Sequence, residues 1–459
     1  RVGDSTNSEA AWCRISEWFD SCTHTHATCG WRRLQNRWYP TRLLDVGVPG
    51  TETDTVKLIH TATTSPHGPY LTLSHCWGGS VSIRTTRETE TSFQSGLPIT
   101  SLPQTFRDAV QVTRKLKARY LWIDSLCILQ DDHDDWTREA PSMDRVYENA
   151  LCNIAATAAE SSQGGLFFNR RPWLASPIVR DGLGAFQLSK ADMLEEEIGE
   201  SPLQQRAWVF QERQISPRVL HFGKNQIFWE CGELFANETY PKGLSSCHSP
   251  YPLGVAHRVK RHKYGLLYVW KTMVQIFSAL DLTFESDKLP GFAGIARRFE
   301  HLLGPSYLAG LWPSHSPEFF VIQLAWHVLG PSGRNHDEPY LAPSWSWASA
   351  QGSVQFSDFP NPEQADSPGP HEMLLVGTRF LEAHVDAATW DPFGPVKGGY
   401  MSKDLSTDTR TWEGMKKILE SFTLTISGSL RRSGTVCLCC LSTAGHRGTS
   451  TKTARLDIP

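Results

Sequence analysis

Tyr120-Leu121-Trp122-Ile123-Asp124-Ser125-Leu126-Cys127-Ile128 is a mostly apolar run of strand length with a carboxylate inside it. So short an apolar run predicts a buried strand. Upstream, Phe106, Ala109, Val110, Thr113 and Leu116 recur at helical spacing between Pro103 and Lys117, with Pro103 suited to the first turn. Before that helix, Tyr70-Leu71-Thr72-Leu73-Ser74-His75-Cys76-Trp77 reads as a second buried strand running into the sharp loop Gly78-Gly79. Two strands joined through a helix imply a parallel pair with a right-handed crossover. The fold class expected is therefore α/β.

Downstream, Trp136, Ala140, Met143, Val146, Tyr147 and Ala150 continue at helical spacing, with Pro141 expected to break or restart the helix. Leu151 to Ala158 supplies a third short strand, so β-α-β-α-β is complete by residue 158. A helix-like stretch from Arg206 to Arg213 follows, then two strands, Val219 to Phe222 and Gln226 to Cys231, around Gly223-Lys224-Asn225. Val56 to Ile59 predicts an edge strand in the lead-in. Beyond residue 250 the Tyr264–Leu282 and Gly291–Leu303 runs are helical in pattern, and Ser344 to Ser349 returns to alternation. Pro360 to Pro370 reads as an exposed loop, and the segment after Ser427 has little periodicity.

At 459 residues the chain is long enough for two or three packed regions. With 40% hydrophobic and 20% charged residues it is not a largely disordered chain. A formal charge of −3, with no long Lys/Arg block, gives no general attraction to nucleic acid. No apolar run reaches the roughly 18 residues of a membrane span, and the opening RVGDSTNSEAAW lacks the order of a secretory signal. The 11 Cys have no framework spacing, which suits reduced thiols, and a cytoplasmic protein is expected.

Chemistry concentrates near the strand ends. Trp208 and Glu212 are four apart on one helix face, where an indole wall would place the carboxylate in partly apolar surroundings. The competing reading pairs Glu212 with Arg206 or Arg213 on a solvated face. Asp124, in an apolar run, needs a partner and could accept from ribose hydroxyls, or could equally cap the following loop. Ser74 and Trp77 end the first strand, where Trp77 could stack on a base or pack in the core. His75 and Cys76 would point to opposite faces of an extended strand, which disfavours a thiol nucleophile. Cys13, Cys22, His24, His26 and Cys29 carry atoms suited to zinc but lack paired C-x-x-C knuckles, so packing or surface placement is expected and no metal is assigned. No Walker phosphate loop follows the first strand.

Four ordered motifs, LSHCWG (73–78), YLWIDSLCILQDD (120–132), DWTREAPSMDRVYENALCNIAAT (135–157) and RAWVFQER (206–213), resemble the fungal heterokaryon-incompatibility (HET) domain. PTRLLDVG (40–47), AGLW (309–312) and PSWSWAS (343–349) resemble segments that often accompany it. His75, Cys76 and Pro141 depart from the family pattern. The division expected is a lead-in over 1–64, the HET domain over 65–235, a mostly helical accessory region over 236–380, and a partly disordered extension over 381–459. The resemblance implies nonself recognition and programmed cell death when incompatible fungal cells fuse, with self-association or an unidentified protein partner.

A more distant similarity, to Toll/interleukin-1 receptor (TIR) domains, rests on the Trp208-to-Glu212 interval after the third strand. Val209 stands where those domains carry a cysteine. It implies a TIR-like, flavodoxin-like, mostly parallel sheet with flanking helices; the pattern beyond residue 250 adds the expectation of a mixed, largely helical C-terminal region. The TIR similarity further implies NAD as a substrate rather than a resident cofactor, with Glu212, and that position alone, as the catalytic carboxylate. Ser74, Trp77, Asp124, Arg206 and Trp208 are expected to line the site from their own positions at the strand ends and on the helix. The rival expectation is a non-enzymatic signalling adaptor in which Trp208 and Glu212 serve the fold or an interface.

Overall fold

The computed structural model describes residues 2–29, 38–51, 53–79, 83–171, 178–181, 184–187, 194–244, 263–313, 320, 323–330, 339–356 and 378–405. The chain divides into two compact units, Arg1–Gly254 and Val255–Pro459. Among the described residues of the first unit, nine strands form one sheet in the order β11-β10-β9-β6-β3-β5-β1-β2-β4. They are β1 (Arg42–Asp45), β2 (Thr55–His60), β3 (Tyr70–Ser74), β4 (Leu97–Pro98), β5 (Tyr120–Ile123), β6 (Asn153–Ala155), β9 (Arg218–Phe222), β10 (Ile227–Cys231) and β11 (Phe235–Asn237). A separate antiparallel pair joins β7 (Ile178–Asp181) to β8 (Gly184–Gln187).

The four central strands are parallel: β5 and β6 flank β3, and β9 follows β6. Both flanks are antiparallel, β1 against β5 on one side and β10 against β9 on the other. The α/β expectation thus holds, with the parallel part confined to the centre. Counted along the chain, the parallel strands lie in the order second, first, third, fourth. The chain therefore winds one way from β3 to β5 and the other way to β6, and the seam between β3 and β6 is a topological switch point, where open α/β sheets leave a crevice at the carboxyl ends.

Every residue of β3 and β5 is buried, as expected for strands covered on both faces. The Gln104–Lys115 helix covers them with Phe106, Ala109, Val110, Val112 and Thr113, all buried. Pro103 stands at its N-cap, one position before the first turn, and Lys117 ends it in the left-handed region at φ 58°. β5 is shorter than the sequence predicts. The Asp124 carboxylate turns back to accept the Ser125 amide at 2.7 Å, and Asp124–Cys127 becomes a single helical turn. Pro141 interrupts the next helix as expected, leaving His133–Glu139 and Met143–Glu148 joined by a 3-10 turn.

The lead-in is built into this sheet through β1 and β2. Arg42, 4% exposed, makes a two-pronged ion pair with the fully buried Asp135, both bonds 3.0 Å, and also reaches Glu90 at 2.9 Å. Asp135 also accepts the Leu129 amide at 2.9 Å. Removing one partner of such a buried pair leaves an uncompensated charge and is costly.

Within the second unit, two helices, Lys263–Ser278 and Lys288–Leu303, accompany the antiparallel pairs β12 (Trp326–Val328) with β13 (Val354–Phe356) and β14 (Thr378–Ala387) with β15 (Val396–Leu405). Its described part is therefore mixed. The alternation over 344–349 is not a strand: Ser346 caps a 3-10 turn, Trp347–Ser349, by accepting the Ala348 amide at 3.0 Å. AGLW and PSWSWAS meet there, with the Trp347 indole donating to the Gly310 carbonyl at 2.9 Å. Gly310 has φ +96°, and a Cβ on it would lie 2.3 Å from Trp347 Nε1, so only glycine fits. The Pro360–Pro370 loop and the segment after Ser427 lie outside the described residues, as does the extension beyond Leu405. Among the described residues no helix is long and apolar enough to cross a membrane.

Candidate functional site

The site is built at the carboxyl end of β3. Ser74 is the last residue of that strand, paired with Ala155 of β6 in parallel register. The Ala207–Ile215 helix brings Glu212 against this end, with Arg206 at its N-cap. Ala207, Val209, Phe210 and Ile215 are buried, so the short helix is held by packing rather than by an amphipathic stripe alone. Cys76, Ala155, Leu203, Val209 and Val219 form one buried cluster that fixes it to the central strands.

Glu212 is turned inward, 5% exposed. Its carboxyl accepts the Ser74 hydroxyl and shares a hydrogen bond with the Tyr147 hydroxyl. Burial raises its pKa to about 7, opposed by the Ser74 bond, assisted by the negative charge of Asp124 and opposed again by Arg206. Glu212 therefore exchanges its proton near neutrality. Arg213 does not pair with it: that guanidinium donates to Glu230 at 2.8 Å, beside His221. The solvated-face arrangement is thus not what the chain adopts.

Two residues that the sequence reading did not single out complete the network. Asn153, the first residue of β6, donates to Ser74 Oγ at 2.9 Å and accepts from Thr72 at 3.0 Å. Tyr147, 1% exposed, packs edge-on to Trp122 at 5.7 Å and presents its hydroxyl to Glu212. Asn in an otherwise apolar strand was the available signal, since a buried amide needs partners.

Asp124 occupies the adjoining strand end, that of β5. It accepts the Trp77 indole at 2.8 Å, and His75 Nδ1 lies 3.7 Å from its other oxygen. Trp77 is half-buried and Gly78 beside it is exposed, so this rim faces outward. Gly78 has φ +75°, and a Cβ there would meet Ser161 at 2.6 Å. His75 is buried edge-on to Phe106 at 4.9 Å, and burial lowers its pKa to about 4, which keeps it neutral. Its Nε2 has no hydrogen-bond partner among the described residues. Arg206 donates to the His75 carbonyl.

Ser74, Glu212, Asp124, Trp77 and Arg206 are thereby linked by hydrogen bonds or by charge. Trp208 is half-buried one turn before Glu212. The cysteines nearby are unsuited to nucleophilic attack: burial pushes Cys127 up to about 12 and raises Cys76. A cavity of about 570 Å³, lined in part by Tyr39, Thr61, His67 and Arg145, includes none of the site residues.

Residues 70–212 match the family model described as heterokaryon incompatibility protein (HET). No curated protein and no solved structure matches the chain. The matched span runs from the first residue of β3 to Glu212 and so encloses the network just described.

Proposed function

Residues 70–212 form a HET domain, and from that premise we propose that the chain is an effector of nonself recognition in fungi, triggering programmed cell death by hydrolysing NAD through Glu212. The domain itself suggests a role in heterokaryon incompatibility. The observation that supports the catalytic part is the position of Glu212: a carboxyl with a pKa of about 7, at the switch point of the central parallel strands.

In the reaction proposed, the bond between nicotinamide and ribose breaks and its electron pair leaves with nicotinamide. Water adds to the ribose carbon, giving ADP-ribose and a proton. The positive charge that develops on the ribose is stabilised by ionised Glu212. Trp77, half-buried on the rim, would stack on a base, and Asp124 would accept from a ribose hydroxyl. Arg206 and Ser74 favour the ionised form of Glu212 by charge and by hydrogen bond. The protein would act in the cytoplasm, in company with further copies of itself or a protein partner.

One observation favours a second reading, a non-enzymatic adaptor. Glu212 is 5% exposed and satisfied by Ser74 and Tyr147, as a fold-fixing network requires. Expression of the full chain in a fungal host, with growth and cellular NAD followed together, separates the two. The catalytic reading expects arrest and NAD loss with the wild type and neither with Glu212→Gln at equal protein level. Arrest by the variant with NAD unchanged establishes the adaptor instead.

A further inference from the structure

We propose that Cys22, His26, Cys29 and Cys231 form a structural zinc site. Their ligand atoms all lie within 4.8 Å of one another, and all four residues belong to the first unit. Cys22 is in the last turn of the Glu9–His24 helix, His26 and Cys29 follow that helix, and Cys231 ends β10. Three thiols and an imidazole are a donor set that tetrahedral zinc takes in closed structural sites. His26 Nδ1 is 3.4 Å from Cys231 Sγ. Zinc bonds of about 2.3 Å to sulfur and 2.0–2.1 Å to nitrogen, at the tetrahedral angle, place such a pair about 3.6 Å apart.

A second observation is independent of the cluster's geometry. Arg218, on β9, is 1% exposed, and the partners it has are Cys22 Sγ at 3.1 Å and the carbonyls of Leu151 and Cys29, at 3.2 and 2.7 Å. No carboxylate pairs with it among the described residues. A buried guanidinium calls for a nearby negative charge. Zinc with three thiolates and one neutral imidazole carries a net charge of −1, and Arg218 balances it. The same arginine orients both cysteines, donating to one sulfur and holding the carbonyl of the other, as groups behind a metal's ligands do.

The surroundings fit closed coordination. Cys22 is fully buried and Cys29 is 8% exposed. Thr28 donates to Glu233 through its hydroxyl at 2.8 Å and through its amide, tying the Cys29 loop to the turn after β10. At Gly232 a Cβ would lie 3.2 Å from Thr28 Oγ1 and 3.4 Å from Cys29 Sγ, so the residue after Cys231 packs closely against the Cys29 loop. With four protein ligands no position stays open for catalysis. The metal pins the N-terminal helix to the antiparallel flank of the sheet.

This site stands apart from the proposed reaction and survives its failure. The full chain purified under reducing conditions is expected to hold one zinc by elemental mass spectrometry. Replacement by cobalt is expected to give a thiolate-to-cobalt charge-transfer band with the strong visible bands of a tetrahedral site. Cys231→Ser loses most of the bound metal, whereas Cys13→Ser, at an exposed cysteine outside the cluster, retains it. Zinc-free wild-type protein after purification with zinc present, a disulfide within the cluster, or equal metal loss in both variants overturns the proposal. If Cys231→Ser does not fold, the wild-type metal content and cobalt spectrum decide alone.

Discussion

The Ser74 hydroxyl at the end of β3 donates to the carboxyl of Glu212, 138 residues further along the chain. This bond closes the seam between β3 and β6 with a titratable group. Its consequences are electrostatic as well as structural.

Folded Glu212 holds its proton up to about pH 7, whereas a free glutamate releases it near 4.5. Between those values the folded state binds more protons than the unfolded one. The stability this group contributes is fully present below pH 4.5 and is lost as pH rises to about 7, with a limiting slope of about 1.4 kcal/mol per pH unit. Glu212→Gln stays neutral and removes the slope. Urea unfolding of both proteins across this range measures it, and parallel profiles contradict the assignment.

Ser74→Ala takes away the hydroxyl that favours ionised Glu212 and leaves the Asn153 amide without that partner. The titration midpoint of Glu212 rises above about 7, and stability falls by about 1–3 kcal/mol. Carboxyl-carbon NMR titration and chemical denaturation read the two effects separately.

Asp124→Asn removes a negative charge whose field raises the Glu212 pKa. The same titration is expected to shift downward, opposite in sign to Ser74→Ala. An unchanged midpoint contradicts electrostatic coupling between the two strand ends.

Arg42→Met strands the carboxylate of Asp135 in the core. A loss of about 3–5 kcal/mol is expected, because an unpaired buried charge is left behind. Arg42→Met with Asp135→Asn is expected to recover part of it, and purely additive losses contradict the pairing.

The central strands were legible because each is a short, mostly apolar run of strand length, and the Pro103–Lys117 helix because its apolar residues keep one period. The end of β5 was not, since Asp124 begins its own turn, a local hydrogen bond that apolar patterning does not report. Ser344–Ser349 misleads for a related reason: alternation predicts a strand, but the Ser346 cap takes the backbone into a 3-10 turn. Ser74, Asp124 and Glu212 could be proposed from the sequence because polar residues at strand ends and on an apolar helix stand out. Tyr147 shows in the sequence only as one position of a helical period, and only the fold brings its hydroxyl to Glu212. The thiol cluster shows the same limit. Cys22, His26 and Cys29 lie close in sequence, but Cys231, 205 residues after His26, joins them only through β10.

The most direct measurement is nicotinamide release from NAD by the purified full chain, wild type against Glu212→Gln, with both shown to be folded. Turnover by the wild type is expected to rise as Glu212 ionises through about pH 7, with a fall of roughly 100-fold or more in the variant, in line with loss of a group that stabilises developing charge. Absence of turnover by the wild type, or equal turnover by the two proteins, would contradict catalysis by Glu212.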